Sequence, residues 1–329
     1  MIISASRRTD IPRFHSDWFL NRVRAGYVDV RNPLFPGQVS RYSLSPTIVD
    51  GIVFWTKDPA PLLGRLDELA AYNCYFQFTL TPYGRDIEPG LPDKRQIVAT
   101  FKELSSRIGP RRVIWRFDPL LVNRAYSIDD HLRAFAALAD ELEGCTERVV
   151  ISFVDNHHSD ARSVYAALGT ASVSHDQQQR LAGGIAASAR DHGMTVATCA
   201  ETVDLKRFGI ERGRCVDGRL LEELGACRLS RLKGRYEALP KDKAQRRECL
   251  CTESIDIGWP NTCAHGCRYC YATTGEAALR RNLAQCDPAG TLLCGAFDPA
   301  VDKLTDHRGT GDARDRSFKF ATDELFPDL

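Results

Sequence analysis

Arg112-Val113-Ile114-Trp115-Arg116-Phe117, closed by Asp118-Pro119, is the stretch that decides the fold. It is a short, β-prone, mostly apolar run that stops abruptly at a polar pair. Ser127-Ile128-Asp129-Asp130 follows and reads as a capping box, with Asp130 standing in for the usual Glu. Leu132, Phe135, Leu138 and Leu142 then recur at helical spacing. A buried strand followed by an amphipathic helix is one unit of a parallel α/β fold.

The same unit repeats on both sides of it. Upstream, residues 2–6 form a strand ending in Arg7-Arg8-Thr9-Asp10, and a helix is expected from Ser16 as N-cap to Gly26, with Phe19, Leu20 and Val23 on one face. Residues 51–55 end in Thr56-Lys57-Asp58-Pro59 before Leu62, Leu63, Leu66 and Leu69. Residues 74–81 end in Pro82-Tyr83-Gly84 before Ile97, Val98, Phe101 and Leu104. Downstream, residues 148–154 end in Asp155-Asn156-His157-His158, followed by helical patterns near 160–168 and 175–192. Residues 195–199 make a sixth strand, ending in Ala200-Glu201. Six such units predict an α/β fold, a (β/α)6-type TIM-like or partial barrel with right-handed crossovers, over residues 1–240. Residues 241–329 are expected to be a C-terminal cysteine-rich, cluster-binding segment packed on the barrel mouth. Within it a helix is expected over 274–283, with irregular chain from 286 onward.

The 329 residues carry 44 basic and 43 acidic side chains, a net charge of +1, and 43% are hydrophobic. That is enough for a full core, and it gives no global attraction to nucleic acid or anionic membrane. No apolar run reaches the roughly 18 residues that a membrane helix needs. The first eight residues lack the basic-then-apolar order of a secretion leader, so the cytoplasm is the expected compartment. The basic run 241–247 reads as a solvated loop face. There is no phosphate-binding loop and no dinucleotide fingerprint.

Twelve cysteines stand out against that compartment, where structural disulfides are rare. Cys74 and Cys145 sit alone and read as small core residues; the other ten follow residue 198. Asn261-Thr262-Cys263-Ala264-His265-Gly266-Cys267-Arg268-Tyr269-Cys270-Tyr271-Ala272 places three of them at C-x3-C-x2-C in a short loop. Three thiolates on a loop suit an iron–sulfur cluster with one open iron better than a closed zinc site, which wants four ligands. The alternative is a zinc knuckle that borrows Cys249 or Cys251, with His265 as an optional ligand. Cys199, Cys215, Cys249 and Cys251 form a second candidate set, for an auxiliary [4Fe–4S] cluster, for zinc, or as ordinary reduced thiols. Cys227, Cys286 and Cys294 are spare.

Cys263-x3-Cys267-x2-Cys270, with Tyr269 before the last cysteine, resembles the motif of the radical S-adenosylmethionine enzymes. The string from Cys263 to Ala272 is similar to the spore photoproduct lyase-like branch. Over nearly its full length the chain resembles the bacterial family DUF1848, on residues 4–12, 54–57 and 115–119, on Cys249-x-Cys251 and on Asp256-Ile257-Gly258. The resemblance implies a cluster-bearing barrel, with a [4Fe–4S] cluster on Cys263, Cys267 and Cys270. It implies S-adenosylmethionine held on the open iron by its amino and carboxyl groups, with Tyr269 near the adenine. It also implies an electron donor such as a flavodoxin or ferredoxin, and reductive cleavage to a 5′-deoxyadenosyl radical. Radical S-adenosylmethionine enzymes usually carry these cysteines after the first barrel strand. Here they follow six strands, so either the barrel is permuted in sequence or a C-terminal module folds back over its mouth. The usual Gly-Gly-Glu segment is not recognisable.

In barrel enzymes the C-terminal strand ends form the active-site face. Here they offer Arg7, Arg8, Asp10, Lys57, Tyr83, Arg116, Asp118, Asp155, Asn156, His157 and Glu201. Arg7, Lys57 and Arg116 are candidates to hold a carboxylate or phosphate, and Asp10 and Asp118 to orient the arginines or take protons. The expectation is a radical S-adenosylmethionine-like enzyme acting on a small anionic substrate. Its rivals are an iron–sulfur electron carrier or sensor and a zinc-stabilised nucleic-acid-processing protein. A nucleic acid lesion is conceivable as substrate from the loop alone, without support from charge.

Overall fold

A computed structural model of the chain describes residues 1–154, 165, 167–170, 172–225 and 240–308. Its strands are β1 (Ile2–Ala5), β2 (Tyr27–Arg31), β3 (Gln38–Ser43), β4 (Gly51–Thr56), β5 (Cys74–Thr79), β6 (Val113–Leu120), β7 (Arg148–Phe153), β8 (Thr195–Thr198), β9 (Glu211–Arg212), β10 (Ile255–Asp256) and β11 (Lys303–Asp306). Eight of them form one sheet in the order β10-β1-β4-β5-β6-β7-β8-β9, and every neighbouring pair is parallel.

The α/β class and the six long apolar strands agree with the sequence. The count does not: β9 and β10, two residues each, extend the sheet to eight strands. They are the sheet's two edges, and no ladder joins them among the described residues. Hydrogen bonds do join the segments beside them. Thr252 N–H donates to Val216 O (2.9 Å), Gly218 N–H to Thr252 Oγ1 (3.0 Å) and Arg212 Nη2 to Glu248 O (2.7 Å).

The strands read as continuous apolar runs because both faces are covered. Ile3, Ile52, Phe54, Phe76, Phe78, Val113, Trp115, Phe117, Val149 and Ile151 belong to the larger core, which the helices Lys94–Ile108, Ile128–Leu142 and His175–Asp191 complete. Trp115 stacks on Phe135 at 4.8 Å, so the helix phased by Ser127 lies on the strand that decides the fold. The Ser127–Asp130 capping box is present. On the opposite face Ile2, Val53, Tyr75, Ile114 and Val150 form one apolar layer. The alternate positions two residues further along, Ser4, Trp55, Gln77, Arg116 and Ser152, form a more polar one nearer the strands' C-terminal ends.

Several local expectations need correction. His15, not Ser16, is the N-cap of the helix Ser16–Ala25, which does end at Gly26 in the left-handed conformation. The helix expected after β4 is broken at Gly64 into Ala60–Leu63 and a 3-10 turn Leu66–Leu69. β2 and β3 were not anticipated; they form an antiparallel hairpin. The chain beyond 286 is not wholly irregular, because β11 pairs in parallel with β3. The bidentate Arg31–Asp302 pair and Trp18 Nε1–H to Gly290 O (3.0 Å) tie it to the first quarter of the chain. The helix Glu276–Leu283 falls where expected. The pattern at 160–168 lies largely outside the described residues.

Candidate functional site

The three-cysteine loop leaves the sheet directly from β10. There Asp256 accepts four hydrogen bonds, from Ser4 Oγ (2.9 Å), Ser6 Oγ (2.5 Å), Arg7 N–H (3.0 Å) and Gly258 N–H (3.0 Å). They lock the exit of β10 to the exit of β1. The loop neck is tied by Asn261 N–H to Ala272 O (2.8 Å) and by Thr274 N–H to Asn261 Oδ1 (2.6 Å). His15 Nε2 donates to Thr262 O (2.9 Å) inside the core.

His265 is buried, 2% exposed. Its Nε2 lies 2.8 Å from Asp10 Oδ2, and its ring meets Phe14 edge-on at 4.7 Å. Asp10 also accepts from Lys57 N–H (2.8 Å) and Arg13 N–H (3.0 Å), so it anchors the exits of β1 and β4 and the loop together. Gly90 N–H donates to His265 O (2.9 Å), and Arg268 N–H to Ile87 O (2.9 Å). The loop therefore lies across the C-terminal ends of β1, β4 and β5. Cβ at residue 90 would come 2.5 Å from His265 O, so only glycine permits this approach.

Cys263, Cys267 and Cys270 are all half-buried in this loop. Burial pushes the Cys263 thiol up, and it pushes Cys267 up to about 11 although Lys57 pulls the other way. Below the loop, Glu88 binds Lys57 Nζ (2.7 Å), Lys94 Nζ (2.7 Å) and Thr81 Oγ1 (2.8 Å), and accepts from Tyr269 OH. Burial works to raise the Glu88 carboxyl, but the two ammonium groups overcome it and bring it down to about 2. Burial opposes the charge of Lys57 as well, and Glu88 outweighs it, so Lys57 is raised. Tyr269 lies under the Lys57 ammonium, 5.5 Å from its ring centroid.

The second cysteine set gathers where the exit of β8 and the segment after β9 meet the approach to β10. Cys199 Sγ and Cys215 Sγ are 3.0 Å apart. Cys251 Sγ accepts from Cys215 N–H (3.3 Å) and Val216 N–H (3.5 Å), and Cys249 Sγ accepts from Cys251 N–H (3.5 Å). Arg116 Nη1 donates to Cys215 Sγ (2.9 Å) and Gln77 Oε1 (3.3 Å), while Nε and Nη2 bind Asp118, which Ser152 also contacts. Hydrogen bonds from Cys199 and Cys251, helped by Arg116, hold Cys215 well below the usual thiol range, and Cys199 is raised in return. A hydrogen bond from Cys251 brings Cys249 down to about 6. Arg7 lies over the Trp55 ring at 5.4 Å, and its Nε and Nη2 are buried without a hydrogen-bond partner. Burial opposes its charge, but Cys251, Cys215, Asp256 and Cys249 outweigh this and raise it.

The other expected residues are distributed more plainly. Arg8 N–H donates to Ser6 Oγ (3.0 Å) beside the β1 exit. Glu201 is buried and accepts from Phe153 N–H (2.8 Å). Tyr83 is wholly buried, donating to Pro119 O and accepting from Leu121 N–H, a core role. Asp155, Asn156, His157 and Cys227 lie outside the described residues. Cys286 and Cys294 sit away from both sets, each within 3.4 Å of Asn282 O. Of the three cations expected to meet an anion, Lys57 and Arg116 are engaged by Glu88 and Asp118, and Arg7 keeps unused donors. Sequence reading missed Glu88, Trp55, Gln77, Ser152 and the role of Asp256. Period-two alternation would have marked Trp55, Gln77 and Ser152 as facing the same way as Arg116. Glu88 sits in a loop that carries no such signal.

Among the described residues, no group of three or more His, Cys, Asp or Glu side chains is arranged to hold a single metal ion. No helix among them is long and apolar enough to cross a membrane. No curated protein and no solved structure matches the chain. The sequence model of DUF1848, described as a domain of unknown function, matches residues 2–272, and the chain belongs to that family.

Proposed function

We propose that this protein is a radical S-adenosylmethionine-like iron–sulfur enzyme built on a parallel (β/α) barrel. The carrying observation is topological: the C-x3-C-x2-C loop follows β10, which lies parallel beside β1 at the sheet edge. Counting from β10, the loop follows the first strand, as it does in the radical S-adenosylmethionine enzymes this motif resembles. The bonds from 248–252 to 212–218 support reading the two sheet edges as the seam of a barrel.

The donor set fits a cluster with an open corner: three thiols on one pinned loop, whose one histidine is turned away onto Asp10. Cys263, Cys267 and Cys270 would hold the cluster, each losing its proton on ligation. When bound, the cluster supplies the electron that cleaves the sulfonium of S-adenosylmethionine. The chain's own residues do the rest. Asp10, His265 and Gly90 fix the loop, Asp256 fixes its point of departure, and Glu88 positions Tyr269 against the mouth. A small-molecule substrate and a protein electron donor complete the reading.

Anaerobically reconstituted, reduced protein is expected to convert S-adenosylmethionine to 5′-deoxyadenosine, measured by chromatography, and Cys267→Ser to lower this to background. A brown protein with cluster absorption near roughly 400 nm that leaves S-adenosylmethionine intact would refute the reading and favour an electron carrier or sensor.

A further inference from the structure

Cys199, Cys215, Cys249 and Cys251 come from three separate stretches of chain: the exit of β8, the segment after β9 and the approach to β10. Tertiary structure alone brings them together, and it brings two cations with them, Arg116 buried and Arg7 half-buried. Arg116 spends one guanidinium nitrogen on Cys215 Sγ. Arg7 lies over Trp55, which packs with Cys199 against the buried cluster holding Cys215, Cys249 and Cys251, and it leaves Nε and Nη2 without any acceptor. Buried donors on a charged group are costly to leave unused, so this arrangement calls for an anionic, acceptor-rich occupant.

We infer that these four cysteines hold a second iron–sulfur cluster, of the [4Fe–4S] type, with Arg7 and Arg116 facing it. A cluster ligated by four thiolates is anionic, and its sulfurs accept hydrogen bonds of the kind Arg7 has spare. Backbone donors already point at the ligand sulfurs: Cys215 and Val216 N–H at Cys251, and Cys251 N–H at Cys249. Zinc fits less well. Its four sulfurs would each lie about 2.3 Å from one point, with ligands usually separated by two to four residues. Here Cys249 and Cys251 are separated by one residue, and no single-ion arrangement is found among the described residues. Hydrogen bonds join the segments 212–218 and 248–252 that carry Cys215, Cys249 and Cys251, so the occupant would brace them further.

This inference stands apart from the reading of the three-cysteine loop, and iron counting separates the two. The Cys263→Ala/Cys267→Ala/Cys270→Ala variant, reconstituted anaerobically with iron and sulfide, is expected to keep about four irons and four sulfides per chain, against about eight of each in the unaltered protein. If both proteins hold about four, the second cluster stands and the loop reading falls. If the unaltered protein holds about four and the folded variant none, or the variant takes up zinc alone, the inference is overturned. Should the variant fail to fold, alkylation mapping of the reconstituted, unaltered protein decides. Cys199, Cys215, Cys249 and Cys251 are expected to be protected until the cluster is chelated away. Their full alkylation beforehand, in folded protein, would overturn the inference.

Discussion

The two cysteine sets are built in opposite ways. Cys263, Cys267 and Cys270 lie within eight consecutive residues, and their loop is held from below by Asp10, Gly90 and Ile87. Cys199, Cys215, Cys249 and Cys251 are spread over 53 consecutive residues and are linked by one sulfur–sulfur contact and by backbone N–H bonds to sulfur. The loop presents three thiols and keeps its neighbouring cation, Lys57, neutralised by Glu88. The second set, at the proposed seam, presents four thiols and leaves Arg7 with spare donors. Three ligands and a satisfied surround suit an open cluster that receives a substrate molecule. Four ligands and an unsatisfied surround suit a closed one that serves structure or electron transfer.

The comparison can be broken on the loop side without touching the seam. Glu88→Gln removes the buried charge shared by two half-buried lysines, and about 3 kcal/mol of stability at pH 7 is expected to go with it. The sign follows from the carboxyl's depression. With Glu88 at about 2 in the folded protein and roughly 4.3 unfolded, the stabilisation is present above pH 4.3 or so and lost as pH falls toward 2. Denaturant midpoints of the two proteins should therefore converge over that interval; a difference independent of pH would mean that Glu88 acts by packing rather than charge. A smaller effect, about 2 kcal/mol, is expected for Gly90→Ala, whose methyl meets the backbone oxygen of His265. Iron analysis should show iron lost from the loop and kept at the seam. Equal loss from both would show that the two sites are one cooperative unit.

The sequence made the long strands and capped helices legible because each is specified locally. Parallel strands covered on both faces are uninterrupted apolar runs, and Ser127 with Asp130 announces a helix start. β9 and β10 were not legible because two residues have no period; they are strands only because β8 and β1 offer them partners. The hairpin carried a signal that was overlooked, since Val28, Val30 and Val39 alternate with polar neighbours. In the site, the loop could be read from spacing alone, whereas the spatial grouping of the second set depends on where the chain places 199, 215, 249 and 251. Charge pairing was least legible. Nothing in sequence spacing says that Lys57 meets Glu88, whereas Asp118, two residues after Arg116 on the same strand, takes the arginine-orienting role expected of it; the two pairings remove two of the three cations expected to bind an anion.

The most direct test of an open loop cluster beside a closed seam cluster is electron paramagnetic resonance of the reduced protein with and without S-adenosylmethionine. The account predicts two overlapping signals, one of which shifts on addition of S-adenosylmethionine, while the loop triple-alanine variant gives a single signal that does not respond. A spectrum of the unaltered protein that S-adenosylmethionine leaves unchanged, or a response that survives in the variant, would contradict it.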